Sequence, residues 1–243
     1  ASTGRRSQVL RHLSVVEAAR VALPTLLTDL ADLVLGRCCL GCGVPAPGLC
    51  GPCQTRMRGR PFTVSRPGMA GPAWVAAEYS GLARAVVLAY KQEGYHSLAA
   101  PLGRLLADAV RAAVGAGAAG TGAVTLVRVP GHRRPERGFD ALGAVCREAR
   151  RALATAGLCV TQERLLRTAN DYRALKGLDR TARARQVTGA FVAVGIPARD
   201  APVVVVDDVI TTGATVHEAL AALERARIRV TAVAAVAATP VRR

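Results

Sequence analysis

The apolar positions of this chain change rhythm several times. Over residues 15–35, Leu23, Leu26, Leu27, Leu30 and Val34 recur every three or four positions, the period of one helix face, and Gly36 follows as a stop. Residues 74–79 and 124–129 are short apolar runs of strand length, the second ending at Pro130. Residues 81–90, 98–114, 139–156 and 214–226 return to helical spacing, with Ser97 in position to cap the second. Further strands are expected at 190–194, 203–206 and 230–236. Strands alternating with helices predict an α/β fold, a parallel sheet flanked by helices.

Breaks in the pattern divide the chain. Residues 38–53 are rich in Cys and Gly, residues 58–72 hold Pro61, Pro67 and Pro72 among glycines, and residues 115–122 are an Ala/Gly connector. The expected organisation is an N-terminal helical segment (1–37), a small four-cysteine zinc-binding module (38–57), a linker (58–72) and the α/β domain (73–243).

Composition narrows the classes. Apolar residues make up 51% of the 243, but aromatics only 3%, so Ala, Val and Leu must build the core. The net charge of +16 points to an anionic partner, and residues 128–185 concentrate it with fourteen basic and six acidic side chains. Only two of the 33 basic residues are lysines, Lys91 and Lys176. The charge-free stretch 112–127 is interrupted by glycines, and the apolar run 230–241 is twelve residues, short of the roughly 20 that cross a bilayer. No membrane insertion is expected. Acidic residues break any leader-like N-terminal run, so the expected location is cytoplasmic, where thiols stay reduced.

The cysteines carry the first chemical signal. Cys39 and Cys42 form one CxxC pair, and Cys50 and Cys53 form another eight residues on. Each CxxC turn presents two thiolates to one ion, so a closed, tetrahedral, structural zinc site is expected. Redox-active thiols or a disulfide pair are the alternatives. Cys38 is an ambiguous fifth thiol beside Cys39, and Cys146 and Cys159 are expected to be buried.

The second signal is the run Val203 to Thr215. Four valines lead into Asp207 and Asp208, then a loop bearing Thr211, Thr212 and Gly213, then a helix beginning with Ala214 and Thr215. Loop amides and a helix N-terminus make an anion cradle, hydroxyls add donors, and Gly213 lets the backbone approach a phosphate. Two carboxylates at the end of a strand suit a sugar with vicinal hydroxyls, in the place where α/β sheets bind ligands. A plain strand-to-helix turn with an acidic cap is the competing explanation.

Residues Val206, Asp207, Asp208 and Val209, with Thr211, Thr212, Gly213, Ala214 and Thr215, resemble the signature of type I phosphoribosyltransferases. Together with the four-cysteine module, the chain resembles the ComF family of competence-associated, phosphoribosyltransferase-like proteins from about residue 26 to 240. Glu78-Tyr79-Ser80-Gly81 followed by Lys91, Val129-Pro130 with Arg134, Arg137, Gly138 and Phe139, and Arg167-Thr168 with Arg183 and Gly189-Ala190-Phe191 are similar to the family's other blocks. Asp140 stands where the family has Asn, Gln186 stands near another such Asn, and Leu175 falls near the place of a Gln.

The resemblance implies a type I phosphoribosyltransferase (Rossmann-like) fold that binds magnesium with phosphoribosyl pyrophosphate (PRPP). Asp207 and Asp208 would be the catalytic acids on the ribose hydroxyls, and the 211–215 loop would hold the 5′-phosphate. The loop of Pro130, Gly131, His132, Arg133, Arg134 and Arg137 would face the pyrophosphate, and Arg offers planar paired donors for it. Lys91 reads either as a point charge on a phosphate or as a helix-end cation. The implied reaction is phosphoribosyl transfer to a nitrogen nucleophile. No aromatic follows Phe191, so a base acceptor would be stacked from the N-terminal half. The alternative is a single-stranded-DNA-binding module for DNA uptake, partnered by a helicase-like competence ATPase, with PRPP bound but not turned over.

Overall fold

The computed structural model describes residues 38–117, 122–131, 140–168, 189–198 and 201–240. The helix expected over 15–35 lies outside the described residues, as do His132, Arg133, Arg134 and Arg137 of the basic loop and Leu175, Arg183 and Gln186. The strands are β1 Phe62–Val64, β2 Ala73–Glu78, β3 Ala123–Arg128, β4 Cys159–Glu163, β5 Leu166–Thr168, β6 Phe191–Ala193, β7 Val203–Ile210 and β8 Ala232–Ala238. The helices are α1 Gly51–Met57, α2 Gly81–Gln92, α3 Ala99–Gly117, α4 Ala141–Thr155 and α5 Ala214–Arg225.

Six strands form one sheet in the order β1-β2-β8-β7-β3-β4, and β5 and β6 make a separate antiparallel ribbon. Only β1 runs antiparallel to its neighbour in the large sheet. The pleat sorts the valines of β7. Val204 and Val206 join Leu126 and Val236 in a core with α2, α3 and α4, while Val203 and Val205 join Val127 and Val233 against α5 and the ribbon. Both faces are covered, which is why β7 begins as an unbroken apolar run.

This arrangement creates a switch point. β3 and β7 are neighbours, yet α4 leads from β3 outward to β4 on one face, and α5 leads from β7 to β8 on the other. The two connections diverge at the carboxyl ends of β3 and β7, and a point of this kind is the usual ligand position in open α/β sheets. The last residue of β3, Arg128, pairs with Val206, so the end of β3 lies beside the start of the acid pair.

Several expectations change. β7 runs to Ile210, so Asp207 and Asp208 sit inside the strand and not beyond it. Strand β4 carries Thr161, Gln162 and Glu163 and no apolar rhythm, because it is the sheet edge and is only half-buried. For the same reason Cys159 is exposed, against the expectation of burial, whereas Cys146 is buried inside α4. Helix α3 starts at Ala99 after a 3-10 turn at His96–Leu98 and continues through Gly117, into the expected Ala/Gly connector. The stretch 58–72, a linker by its prolines and glycines, contributes the edge strand β1 and then folds back over the end of β7.

Candidate functional site

The acid pair sits near the carboxyl end of β7, at this switch point. The Asp208 carboxylate meets the Lys91 ammonium of α2 at 2.6 Å. The Asp207 carboxylate accepts from the Asp208 amide at 2.8 Å. Burial and the neighbouring Asp208 charge push the Asp207 carboxyl up to about 8, against the pull of that amide and of Lys91. Lys91 pairs with Asp208, so the buried Asp207 carboxyl, beside a second carboxylate, favours its protonated form. Lys91 is placed by its neighbour: Tyr90 is buried and its hydroxyl donates to the carbonyl of Ala141 at 2.8 Å, tying α2 to the start of α4.

The loop after β7 supplies donors. The N–H groups of Thr211, Thr212 and Gly213 donate to no described residue, while the Ala214 N–H reaches the Thr212 hydroxyl at 3.4 Å. Gly213 adopts φ +81, a conformation that favours glycine, and it ends as the N-cap of α5. The expected reason for this glycine, close approach of a phosphate, is joined by a second. A β-carbon there would meet Cβ of Arg66 at 2.7 Å and Sδ of Met69 at 2.9 Å. The strap after β1 occupies that side. Arg66 is a site residue that sequence reasoning missed; only its place in a Pro/Gly-rich stretch was readable, and that suggested a linker.

At the end of β3 a second charged group forms. Asp140 caps α4 by accepting from the Gly143 amide at 3.0 Å, and its other oxygen pairs with Arg128. Burial alone would raise this carboxyl, but the hydrogen bonds from Arg128 and Gly143 and the charges of Arg128 and Arg164 outweigh it and lower it. The Asp at the position where Asn was expected is thus matched by an arginine. Pro130 and Gly131 follow the end of β3, half-buried and exposed.

The four expected ligands come together. The sulfurs of Cys39, Cys42, Cys50 and Cys53 all lie within 4.8 Å of one another. Cys39–Cys50 and Cys42–Cys50 are each 3.5 Å apart. Four thiolates at about 2.3 Å from one ion would stand roughly 3.8 Å apart, so the set can hold a tetrahedral zinc. Cys38 is exposed and outside this group. The main chain serves the sulfurs: the amides of Gly41 and Cys50 donate to Cys39 at 3.4 and 3.3 Å. Gly41 must lack a side chain, since a β-carbon would fall 2.7 Å from the Cys53 sulfur. Burial raises the Cys39 thiol, but the amides of Cys50, Gly41 and Cys42 lower it further, to about 6. Burial and the other three sulfurs push Cys53 to about 12. Only a cation lets all four ionise together. Arg56 lies near as well, 3.7 Å from the Cys53 sulfur.

The module is not a separate bead. Cys39, Leu49, Cys53 and Met57 share one core with Val86 of α2, Leu98 and Leu102. Beside the seam, two surface cavities of about 350 and 470 Å³ meet at Gly59 and Arg60, and Arg56, Arg58 and Arg111 complete a basic lining. Arg58 is neutralised by a paired contact with Asp108 at 2.8 Å.

No helix among the described residues is long and apolar enough to cross a membrane. No protein-family model fits the chain, and no curated protein matches it. What the structure gives is a mixed α/β fold with a mostly parallel six-stranded sheet flanked by helices and a four-cysteine cluster able to hold zinc.

Proposed function

We propose that this chain is a ComF-like protein of the type I phosphoribosyltransferase class, binding magnesium–PRPP at the end of β7 and a structural zinc at Cys39, Cys42, Cys50 and Cys53. The observation that carries this reading is the meeting of the Asp207–Asp208 pair with the unengaged amides of Thr211, Thr212 and Gly213 at a sheet switch point. An acid pair accepts from the two ribose hydroxyls, and the loop amides and threonine hydroxyls donate to the 5′-phosphate. The pyrophosphate would then lie toward Pro130 and Gly131, which follow the end of β3. Magnesium brought in with the pyrophosphate would supply charge neutralisation for the leaving group. In the transfer, a bond forms from an acceptor nitrogen to C1 of the ribose and the bond from C1 to the pyrophosphate oxygen breaks. The protein's part is positioning and charge stabilisation of the cationic sugar in between.

Calorimetric titration of the zinc-loaded protein with magnesium–PRPP should give one site per chain. Asp207 begins mostly protonated at pH 7 and ionises to accept through both oxygens, so binding releases close to one proton. The measured heat will therefore vary with the ionisation enthalpy of the buffer. No binding at millimolar PRPP would overturn the proposal.

The arginine-lined seam favours a second reading, a surface for single-stranded DNA, which could coexist with the PRPP site. Arg60 and Arg111 make no hydrogen bond or ion pair to a described residue and are exposed. Oligonucleotide affinity would then fall with salt at a logarithmic slope of about −0.7 per phosphate contacted, and Arg60→Glu with Arg111→Glu would flatten it. An undetectable complex at low salt retires this reading.

A further inference from the structure

We infer that Arg66 is the positioning residue of the phosphate loop: by taking up the carbonyl oxygens behind that loop it turns the Thr212 N–H toward the ligand. This rests on the reading of the loop as a phosphate site. Arg66 lies between β1 and β2, 145 positions from Thr211 in the chain. Its Nε–H donates to the Thr211 carbonyl at 2.8 Å, and its Nη2 donates to the Thr239 carbonyl. Nη1 donates to the Ser65 carbonyl at 3.1 Å. The Thr239 hydroxyl gives the Thr211 carbonyl a second donor at 3.3 Å, and the Thr239 N–H donates to Ile210 at 3.0 Å.

The geometry of the peptide unit supplies the consequence. The carbonyl of residue 211 and the N–H of residue 212 belong to one planar trans peptide and point in opposite directions. With the carbonyl fixed toward Arg66, the Thr212 N–H is turned the other way, where it meets no described acceptor. The arginine stem and Met69 fill the space beside Gly213, so the loop is braced from behind before any ligand arrives. A donor held in advance loses no binding energy to its own ordering. The role needs the fork of an arginine, since an ammonium is a single point charge with no fixed second arm for the Thr239 carbonyl.

The test compares wild type, Arg66→Met and Arg66→Lys for binding of ribose 5-phosphate and of magnesium pyrophosphate. Met keeps the stem over Gly213; Lys keeps the charge. Both variants should lose about tenfold in affinity for ribose 5-phosphate. Both should hold pyrophosphate within about twofold of wild type. Arg66→Lys carries the test if Arg66→Met folds poorly. Wild-type affinity for ribose 5-phosphate in Arg66→Met overturns the inference, and so does recovery in Arg66→Lys, which would make Arg66 a plain charge. Equal loss of both ligands also overturns it, because a general lesion does not distinguish them. A wild-type protein that binds neither ligand overturns the phosphate-site reading itself, and this inference with it.

Discussion

Asp207→Asn should melt at a higher temperature than wild type at pH 8, melt close to wild type at pH 4, and lose PRPP binding at both. The reason is linkage. The Asp207 carboxyl titrates near 8 in the folded protein, against an ordinary value of 3.8. Between those two values the folded state holds one proton more than the unfolded state, so stability falls as pH rises from about 4 and levels off above about 8. Asn carries no such penalty, and its side-chain oxygen can still accept from the Asp208 amide. The gain is therefore near zero at pH 4 and full by pH 8. A gain of about 2 kcal/mol, well below what the whole shift would allow, moves the melting temperature by roughly 4–8 °C in a chain of this length. Combined with Asp208→Asn, which also frees Lys91 from its 2.6 Å ion pair, the change should abolish binding with the fold intact. Calorimetric melts at the two pH values, with a PRPP titration beside them, decide the matter. An increment that is the same at pH 4 and pH 8 would show that the carboxyl ionises normally. PRPP affinity retained in the double variant would refute the acid-pair assignment.

That a stability cost sits at these two acids explains why they were legible without coordinates. Four valines announce a strand covered on both faces, and nothing in a fold requires two carboxylates and three threonines at its end. The four cysteines are legible for a like reason, since two closely spaced CxxC turns match metal-ligand spacing, and all four sulfurs do converge. Helices α2 to α5 show their periodicity, because each buries one face against the sheet or another helix, whereas α1, seven residues inside the cysteine module, shows none. What escaped was structure made by distant partners. Strand β4 is an edge with one neighbour and shows no apolar rhythm. Strand β1 is three residues long and stands among prolines. Arg66 and Thr211 are 145 positions apart, and the partner atoms are main-chain oxygens, which carry no mark in a sequence. Lys91 stands out as one of two lysines, but nothing in its spacing marks Asp208, far along the chain, as its partner.

Removing the metal should reach much further than the short module that would hold it. Structural zinc in small Cys-rich modules contributes roughly 10–16 kcal/mol of apparent binding energy, as large as the stability of a whole domain. Here the ligands Cys39 and Cys53 are buried in the core that also contains Val86 and Tyr90 of α2 and Leu98 ahead of α3. Opening the module exposes that face of α2, and α2 carries the lysine paired with Asp208. Purified, untagged protein should contain one zinc per chain. Treatment with a strong chelator should lower the melting temperature by about 10 °C or more, following the roughly 2–4 °C per kcal/mol expected at this size. Hydrogen exchange should quicken across α2 and the start of α3, while β7 and β8 change less, since α5 and the β5–β6 ribbon still cover their other face. PRPP affinity should fall with the loss of Lys91 from its place. Cys53→Ser should reproduce all of this, because it removes one buried ligand and leaves three sulfurs. Cys38→Ser should do none of it, since that thiol is exposed and outside the cluster. Protein free of zinc as purified, or an unchanged melt after chelation, would mean that the four thiols hold the core as packed side chains alone. Exchange confined to residues 38–57 would instead mean that the metal braces only its own module, and that no coupling runs from zinc through α2 to the acid pair.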